Sequence, residues 1–359
     1  MGVLMTRCER FLTALHGGRP DRVPLFDFLF QQPMYERLIG RLPEAYNGPD
    51  AVRLALALDH DGVWLPFGGF QGYRPEFLSE NVYRDEWGTT FRKNESSWPI
   101  DAPIDYPITS RSDLTRYVPP DPTLPGRTDE IEAARRTEHD RLALTGGVQG
   151  PLTTAWLLMG YEAICYALYD DPGLVADVFR ISNEFFKEAA RLLVNAGCDA
   201  VWVSEDLGSS SAGFFSPEHY RTHVFPPFAE LVEYIHNLGA PVILHSCGRI
   251  TDYLGDLVQT PIAAIHPLQR TAGMDLAAVK ERYRNRLCII GNIDSSRVLP
   301  YGSPADVAAQ VREAIDIASP GGGYILASDH YLHDGIPVEN IVEMFRVGAE
   351  YGGKVYKNE

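Results

Sequence analysis

Eight short apolar runs, each ending at a polar residue or glycine and separated by stretches of helical periodicity, constrain this chain more than any other feature. They span 23–30, 62–68, 142–149, 200–206, 241–247, 263–268, 287–294 and 323–330. Runs of that length, bounded by Gly, Asp, Asn or His, read as β-strands. Between them, 174–196, 217–237, 276–283 and 304–318 carry apolar residues at helical spacing. Several of these open on Ser-Pro or Asp-Pro, which presets φ at the first helical position. Strand and helix alternating eight times predict an α/β fold of the (β/α)8 TIM-barrel class. A length of 359 residues suits one such barrel over 1–359. A short leading helix is expected over 7–15, ended by the turn-rich Gly17-Gly18-Arg19-Pro20-Asp21.

One stretch breaks the alternation. Residues 70–141 are rich in Pro, Tyr, Trp and Asp, and 82–92 read as a β-hairpin turning near Trp87-Gly88. This predicts an inserted hairpin and loop region after strand two. Loops at that point leave the C-terminal face of a barrel, so the insertion is expected to cover that face rather than fold as a separate domain.

Composition removes several classes of function. Acidic residues outnumber basic ones 48 to 32, a net charge of −16, and no Lys/Arg-rich run could track a phosphate backbone. Nucleic acid is therefore not an expected partner. No apolar run reaches the roughly eighteen residues of a membrane span, and the start does not read as an export leader, so a cytoplasmic protein without a membrane partner is expected. The five cysteines, at 8, 165, 198, 247 and 288, are odd in number and scattered, which predicts reduced thiols.

In a barrel the C-terminal strand ends face one cavity, so their last residues belong together. They are Asp27, Gln149, Glu205 and Asp206, His245 and Cys247, His266, Asn292 and Asp294, and Asp329 and His330. The fifth run, Pro241-Val242-Ile243-Leu244-His245-Ser246-Cys247-Gly248, puts an imidazole and a thiol two residues apart. Positions i and i+2 of a strand point the same way. One imidazole and one thiolate are half of a tetrahedral zinc site, and a catalytic zinc takes three protein ligands plus an open position. His330, at the end of the eighth run, is the candidate third ligand. Glu205 or Asp206 could add a labile oxygen ligand or orient an imidazole. A hydrogen-bonded histidine beside a small buried thiol, or a metal-free His/Cys catalytic pair, also satisfies the pattern. His219 and His223 fall at i, i+4 of one helical stretch without a third partner and read as a solvated face. Tyr161 and Trp156, after the turn at 147–151, suit a pocket wall or the core. Gly321-Gly322-Gly323 precedes a strand rather than a helix and is not a phosphate loop.

At these residues the chain resembles the uroporphyrinogen decarboxylase superfamily, which also contains cobamide-dependent methyltransferases. The likeness runs over nearly the whole length. It is carried by Arg7-Cys8-Glu9-Arg10 through Asp21-Arg22-Val23-Pro24, by Gly147-Val148-Gln149-Gly150-Pro151, by His245-Ser246-Cys247-Gly248, by Gly291-Asn292-Ile293-Asp294, and by 323–337. The decarboxylases carry an arginine-rich segment after the first strand and an aspartate after the second. Here Phe28-Leu29-Phe30-Gln31-Gln32-Pro33-Met34 and Leu65-Pro66-Phe67-Gly68-Gly69 lack both. Tyr161 and His330 do resemble the decarboxylases' substrate-contacting tyrosine and histidine.

The methyltransferase branch holds zinc on a His-x-Cys pair and a cysteine after the last strand. The resemblance implies zinc on His245, Cys247 and His330, with imidazole in place of the second thiolate. Such a site carries one negative charge fewer, which suits an ether, alcohol or phenol oxygen, or an amine, better than an anionic thiolate. The implied activity is methyl transfer between a small O-, N- or S-methylated compound and a corrinoid carried by a partner protein, since the chain has no Asp-x-His-x-x-Gly corrinoid signature. Glu205, Asp206 and Tyr161 are the catalytic candidates, and Asp27, Gln149, His266, Asn292 and Asp329 the substrate-binding ones. Relatives of this kind commonly dimerise, and a homodimer is compatible with the chain. A decarboxylase of tetrapyrrole biosynthesis and a non-catalytic corrinoid- or tetrapyrrole-binding barrel are the alternatives.

Overall fold

The computed structural model describes residues 4–94, 98–137 and 141–356. Among these described residues eleven strands follow one another: β1 (Gly62–Pro66), β2 (Glu76–Ser79), β3 (Val82–Arg84), β4 (Thr90–Arg92), β5 (Ala102–Asp105), β6 (Ala143–Gln149), β7 (Ala200–Ser204), β8 (Val242–His245), β9 (Ile262–His266), β10 (Cys288–Ile293) and β11 (Tyr324–Ser328). Seven of them form a curled parallel sheet in the order β1-β6-β7-β8-β9-β10-β11. Their residues are apolar on both faces and almost wholly buried, as a parallel sheet covered by helices requires.

The first expected strand, 23–30, is not a regular strand. Its main-chain contact with the sheet is an isolated parallel bridge between Leu25 and Leu326. Pro24 has no N–H to give, and two carboxylates take up pairing that backbone carbonyls would otherwise make. Asp61 accepts the Leu25 N–H at 2.8 Å, and Asp27 accepts the Ser328 N–H at 2.7 Å. The segment thus lies between β11 and β1: the Phe26 N–H donates to the Leu326 carbonyl, and the Asp61 N–H to that of Leu25.

Helices cover the outer face. The longest, Pro172–Asn195, starts with Asp171 accepting the Leu174 N–H and buries Leu174, Val178, Phe185 and Leu193 along one stripe. The expected continuous helix over 217–237 is divided into Pro217–His219, a π-helical turn Tyr220–Val224, and Phe225–Asn237. Pro226 and Pro227 remove two N–H donors and crowd the preceding carbonyls, so the turn ahead of them widens.

Between β1 and β6 stands a separate four-stranded antiparallel sheet, β2-β3-β4-β5. Tyr83 pairs with Phe91 in register, and the intervening turn is held by the Asp85 carboxylate, which accepts the Trp87 and Thr89 N–H groups at 3.0 and 2.9 Å. Trp87 then packs against Phe185 and Phe186 of the long helix, with centroids 4.6 and 5.7 Å apart. Arg127, 3% exposed, pairs with Glu86 at 2.8 Å and lies over the rings of Phe67, Tyr73 and Phe185. These contacts set the small sheet against the long helix and against Phe67 just after β1.

Candidate active site

A cavity of about 320 Å³ opens where β6, β7 and β8 end, between the parallel sheet and the four-stranded antiparallel one. Its wall takes Gln149 from β6, Ser204 and Asp206 from β7 and its exit, His245 from β8, and His330 and Tyr331 after β11. The alternation of strand side chains selects them. Ser204 and Asp206 face the cavity while Glu205, between them, points the other way; Ser246, between His245 and Cys247, turns away to accept the Leu207 N–H at 3.1 Å.

The donors gather around one oxygen. Asp206 Oδ1 accepts the Cys247 thiol at 3.3 Å, and His245 Nε2 stands 3.9 Å from the same atom. His330 presents its ring nearly perpendicular to that of His245, with centroids 6.1 Å apart. Among the described residues, no three His, Cys, Asp or Glu side chains stand close enough to form a ready metal cage. Burial pushes the Cys247 thiol well above its ordinary range, and the neighbouring Asp206 charge adds to the rise. Burial likewise lowers the imidazoles of His245, His266 and His330, taking His330 down to about 4, so each is neutral at pH 7.

Behind His245 lies His266, fully buried, with the two Nδ1 atoms 2.8 Å apart and one proton to share. His266 Nε2 has no hydrogen-bond partner among the described residues, and its ring stands edge-to-face with Phe28 and Trp202 at 5.2 and 5.3 Å. An N–H edge is attracted to aromatic faces and a bare lone pair is not. The favoured arrangement therefore leaves the hydrogen on His266 Nε2 and has His245 Nδ1–H donate to His266 Nδ1. His245 Nε2 is then a lone pair aimed at a carboxylate oxygen, an opposition that a cation between them relieves. An imidazole, a thiol and a carboxylate facing one another, with a second imidazole nearby, suit zinc by donor chemistry.

The other sequence-selected residues, Trp156 apart, lie off the cavity wall. Glu205, wholly buried, caps the helix Pro151–Met159 from the neighbouring strand, accepting the Leu152 and Thr153 N–H groups at 3.0 Å each, and burial raises its carboxyl to about 8. Gly150 makes room for it: a Cβ there would sit 2.2 Å from Glu205 Oε2. Asp27 binds the Ser328 N–H and hydroxyl, and burial raises it to about 7. Asp329 ties Ser295 to Arg270, and Asn292 donates to the Leu268 carbonyl at 2.9 Å. Tyr161 is 37% exposed and packs on Phe214 at 4.7 Å.

Of the aromatic wall, sequence reasoning named Trp156 and the insertion's Tyr83 and Trp87 but passed over Phe28, Phe30, Trp64 and Phe70. Phe28 and Phe30 stack at 5.3 Å, and Trp64 and Phe70 stand edge-on to Phe30 at 5.7 and 5.2 Å. Gly147 lets the Trp64 indole lie against β6, since a Cβ would fall 2.5 Å from its ring. The spacing Phe26, Phe28, Phe30 was the available signal, because it puts three rings on one side of an extended segment.

Comparison with known proteins agrees with this architecture. A methyltransferase structure from Methanosarcina mazei superposes with a TM-score of 0.74 over 97% of this chain and 99% of that one, at 22% identity, which establishes a shared fold. A methylcobamide:CoM methyltransferase of Methanosarcina barkeri is 23% identical over 355 residues, covering 95% of this chain and 97% of the relative. A uroporphyrinogen decarboxylase of Trichodesmium erythraeum is 25% identical over 368 residues, covering 96% and 97%. The pattern of the uroporphyrinogen decarboxylase (URO-D) family matches residues 88–351. The chain belongs to the uroporphyrinogen decarboxylase family.

Proposed function

We propose that this protein is a zinc-dependent methyltransferase that moves a methyl group between a small methylated compound and a corrinoid carried by a separate protein. The observation that carries the reading is the convergence of His245 Nε2 and the Cys247 thiol on Asp206 Oδ1 at one end of the cavity. In this reading His245, Cys247 and His330 hold the metal. When bound, zinc supplies a Lewis acid for the substrate heteroatom. His266 fixes the proton on His245 Nδ1 and so turns the Nε2 lone pair toward the cavity. Asp206 accepts the thiol proton and is the group placed to return a proton to the leaving heteroatom. The aromatic wall excludes water from the reacting bond.

The same reading treats 1–359 as one full barrel, with the Leu25 segment in the eighth strand place and 70–141 covering its open face. It places the protein in the cytoplasm; no helix among the described residues is long and apolar enough to cross a membrane. A homodimer is compatible with it. A porphyrinogen bears many carboxylates and needs cations in its cleft. Among the described residues lining the cavity there is no Lys or Arg, so decarboxylation is the weaker reading.

Metal analysis of the purified protein tests the proposal. We expect about one zinc per chain, lost on Cys247→Ala and on His330→Ala with the fold retained by circular dichroism. Protein that takes up no zinc, or variants that keep it, would remove the site. Turnover of uroporphyrinogen would overturn the choice between reactions.

A further inference from the structure

We infer that the methylated compound is an uncharged aryl methyl ether, an assignment that rests on the methyl-transfer reading and narrows it. The cavity, about 320 Å³, is at the small end of ligand pockets and suits a single-ring compound rather than a tetrapyrrole. Its walls include Phe28, Phe30, Trp64, Phe70 and Tyr331, held edge-to-face, stacked or tilted against one another. Rings packed in this way present faces and edges to a further flat ring, which offset-stacked and T-shaped contacts favour.

Charge decides the rest. The described lining residues include four carboxylates, Asp85, Glu86, Asp101 and Asp206, and no Lys or Arg. Three are already engaged: Asp85 by its own turn, Glu86 by Arg127, and Asp101 by the Asn94 N–H and the Gln71 amide at 3.1 and 3.4 Å. Asp206 belongs to the donor cluster. A sulfonate or carboxylate entering this space meets carboxylates with no lining Lys or Arg to pair with, and it loses its hydration as well. A quaternary methylammonium would suit aromatic walls, but its nitrogen has no lone pair for a cation held by the donor cluster. An ether oxygen has one.

The chemistry balances with one named co-reactant, a reduced corrinoid on the partner. The O–CH3 bond breaks with its electron pair left on the aryl oxygen, the methyl carbon accepts an electron pair from reduced cobalt, and a proton completes the phenol. Gln149 and Ser204, on the cavity wall, are neutral polar side chains available to a ring substituent.

Calorimetric titration of the full chain, zinc-loaded and zinc-free, tests the assignment with methoxybenzene, 4-methoxybenzenesulfonate, 2-mercaptoethanesulfonate and tetramethylammonium as probes. We expect methoxybenzene to bind at least about tenfold more tightly than either sulfonate. Phe70→Ala, at a partly exposed ring, should weaken it by about tenfold, the size of one lost aromatic contact. Phe70→Arg should narrow or reverse the preference against the sulfonates. Sulfonates or tetramethylammonium binding as tightly as methoxybenzene would overturn the assignment. Reduced cobalamin that is methylated by another donor, while methoxybenzene neither binds nor reacts, would overturn it and leave methyl transfer standing. Methoxybenzene that binds yet never methylates reduced cobalamin under any metal loading would overturn the parent reading.

Discussion

Two adjacent carboxylates show what one residue's direction decides. Glu205 and Asp206 follow the same strand, yet Asp206 faces the donors of the cavity and Glu205 caps a helix behind it. Glu205→Gln keeps the volume but turns an amide against one of two buried N–H groups, so it should cost about 1–3 kcal/mol of stability in urea unfolding while leaving zinc binding intact. His266 works through its neighbour. His266→Phe removes the acceptor for His245 Nδ1–H and should weaken zinc about 10–100-fold in a chelator competition, with little change in the unfolding midpoint. Period-two alternation made part of this legible. Applied through the strand ends, it separates Asp206 from Glu205 and Phe28 from Asp27. What it could not show was that Asp27, Asn292 and Asp329 would be consumed by neighbouring backbone and hydroxyl groups, since those partners lie far away in sequence.

At the scale of elements, the segment around Leu25 depends on two buried acids for its place beside β11. Asp27→Ala leaves the Ser328 N–H without its acceptor and should cost about 1–3 kcal/mol. The acids also set a pH dependence. Burial raises Asp27 from 3.8 to about 7 and Glu205 from 4.5 to about 8, so the folded chain keeps protons that the unfolded chain has released. Their contribution is fully present below their unfolded values and is lost as pH rises through 7 to 8. Unfolded histidines release their protons near pH 6.5 and oppose the fall there, so the comparison with Glu205→Gln, which leaves them unchanged, isolates the effect of the acid. Urea stability should fall between pH 6.5 and 8.5, and Glu205→Gln should flatten that slope; a rise over the same interval would refute it. The strand at 23–30 looked regular in sequence because its apolar spacing is regular. Its hydrogen bonding is not, because Pro24 and the two carboxylates intervene.

Across the whole molecule, alternation of apolar runs and helical segments pointed to the parallel sheet. Seven of its eight expected strands are regular, and their ends place the cavity. The four-stranded antiparallel sheet falls within the stretch set apart by its Pro, Tyr, Trp and Asp content, and its packing was not legible there, because it depends on Arg127 meeting Glu86 and three aromatic rings from separate segments. Arg127→Ala removes the charge partner of Glu86 and should destabilise the fold by about 3–5 kcal/mol, measurable as a lowered urea midpoint. The central claim concerns methyl transfer at the His245, Cys247 and His330 donor set. Its most direct test is the absorbance of free cob(I)alamin mixed anaerobically with the zinc-loaded protein and a methylated substrate. Conversion to methylcobalamin, reduced at least about 100-fold in Cys247→Ala, is the expected result. No conversion across O-, N- and S-methyl donors at full zinc occupancy, or equal conversion by the variant, would contradict it.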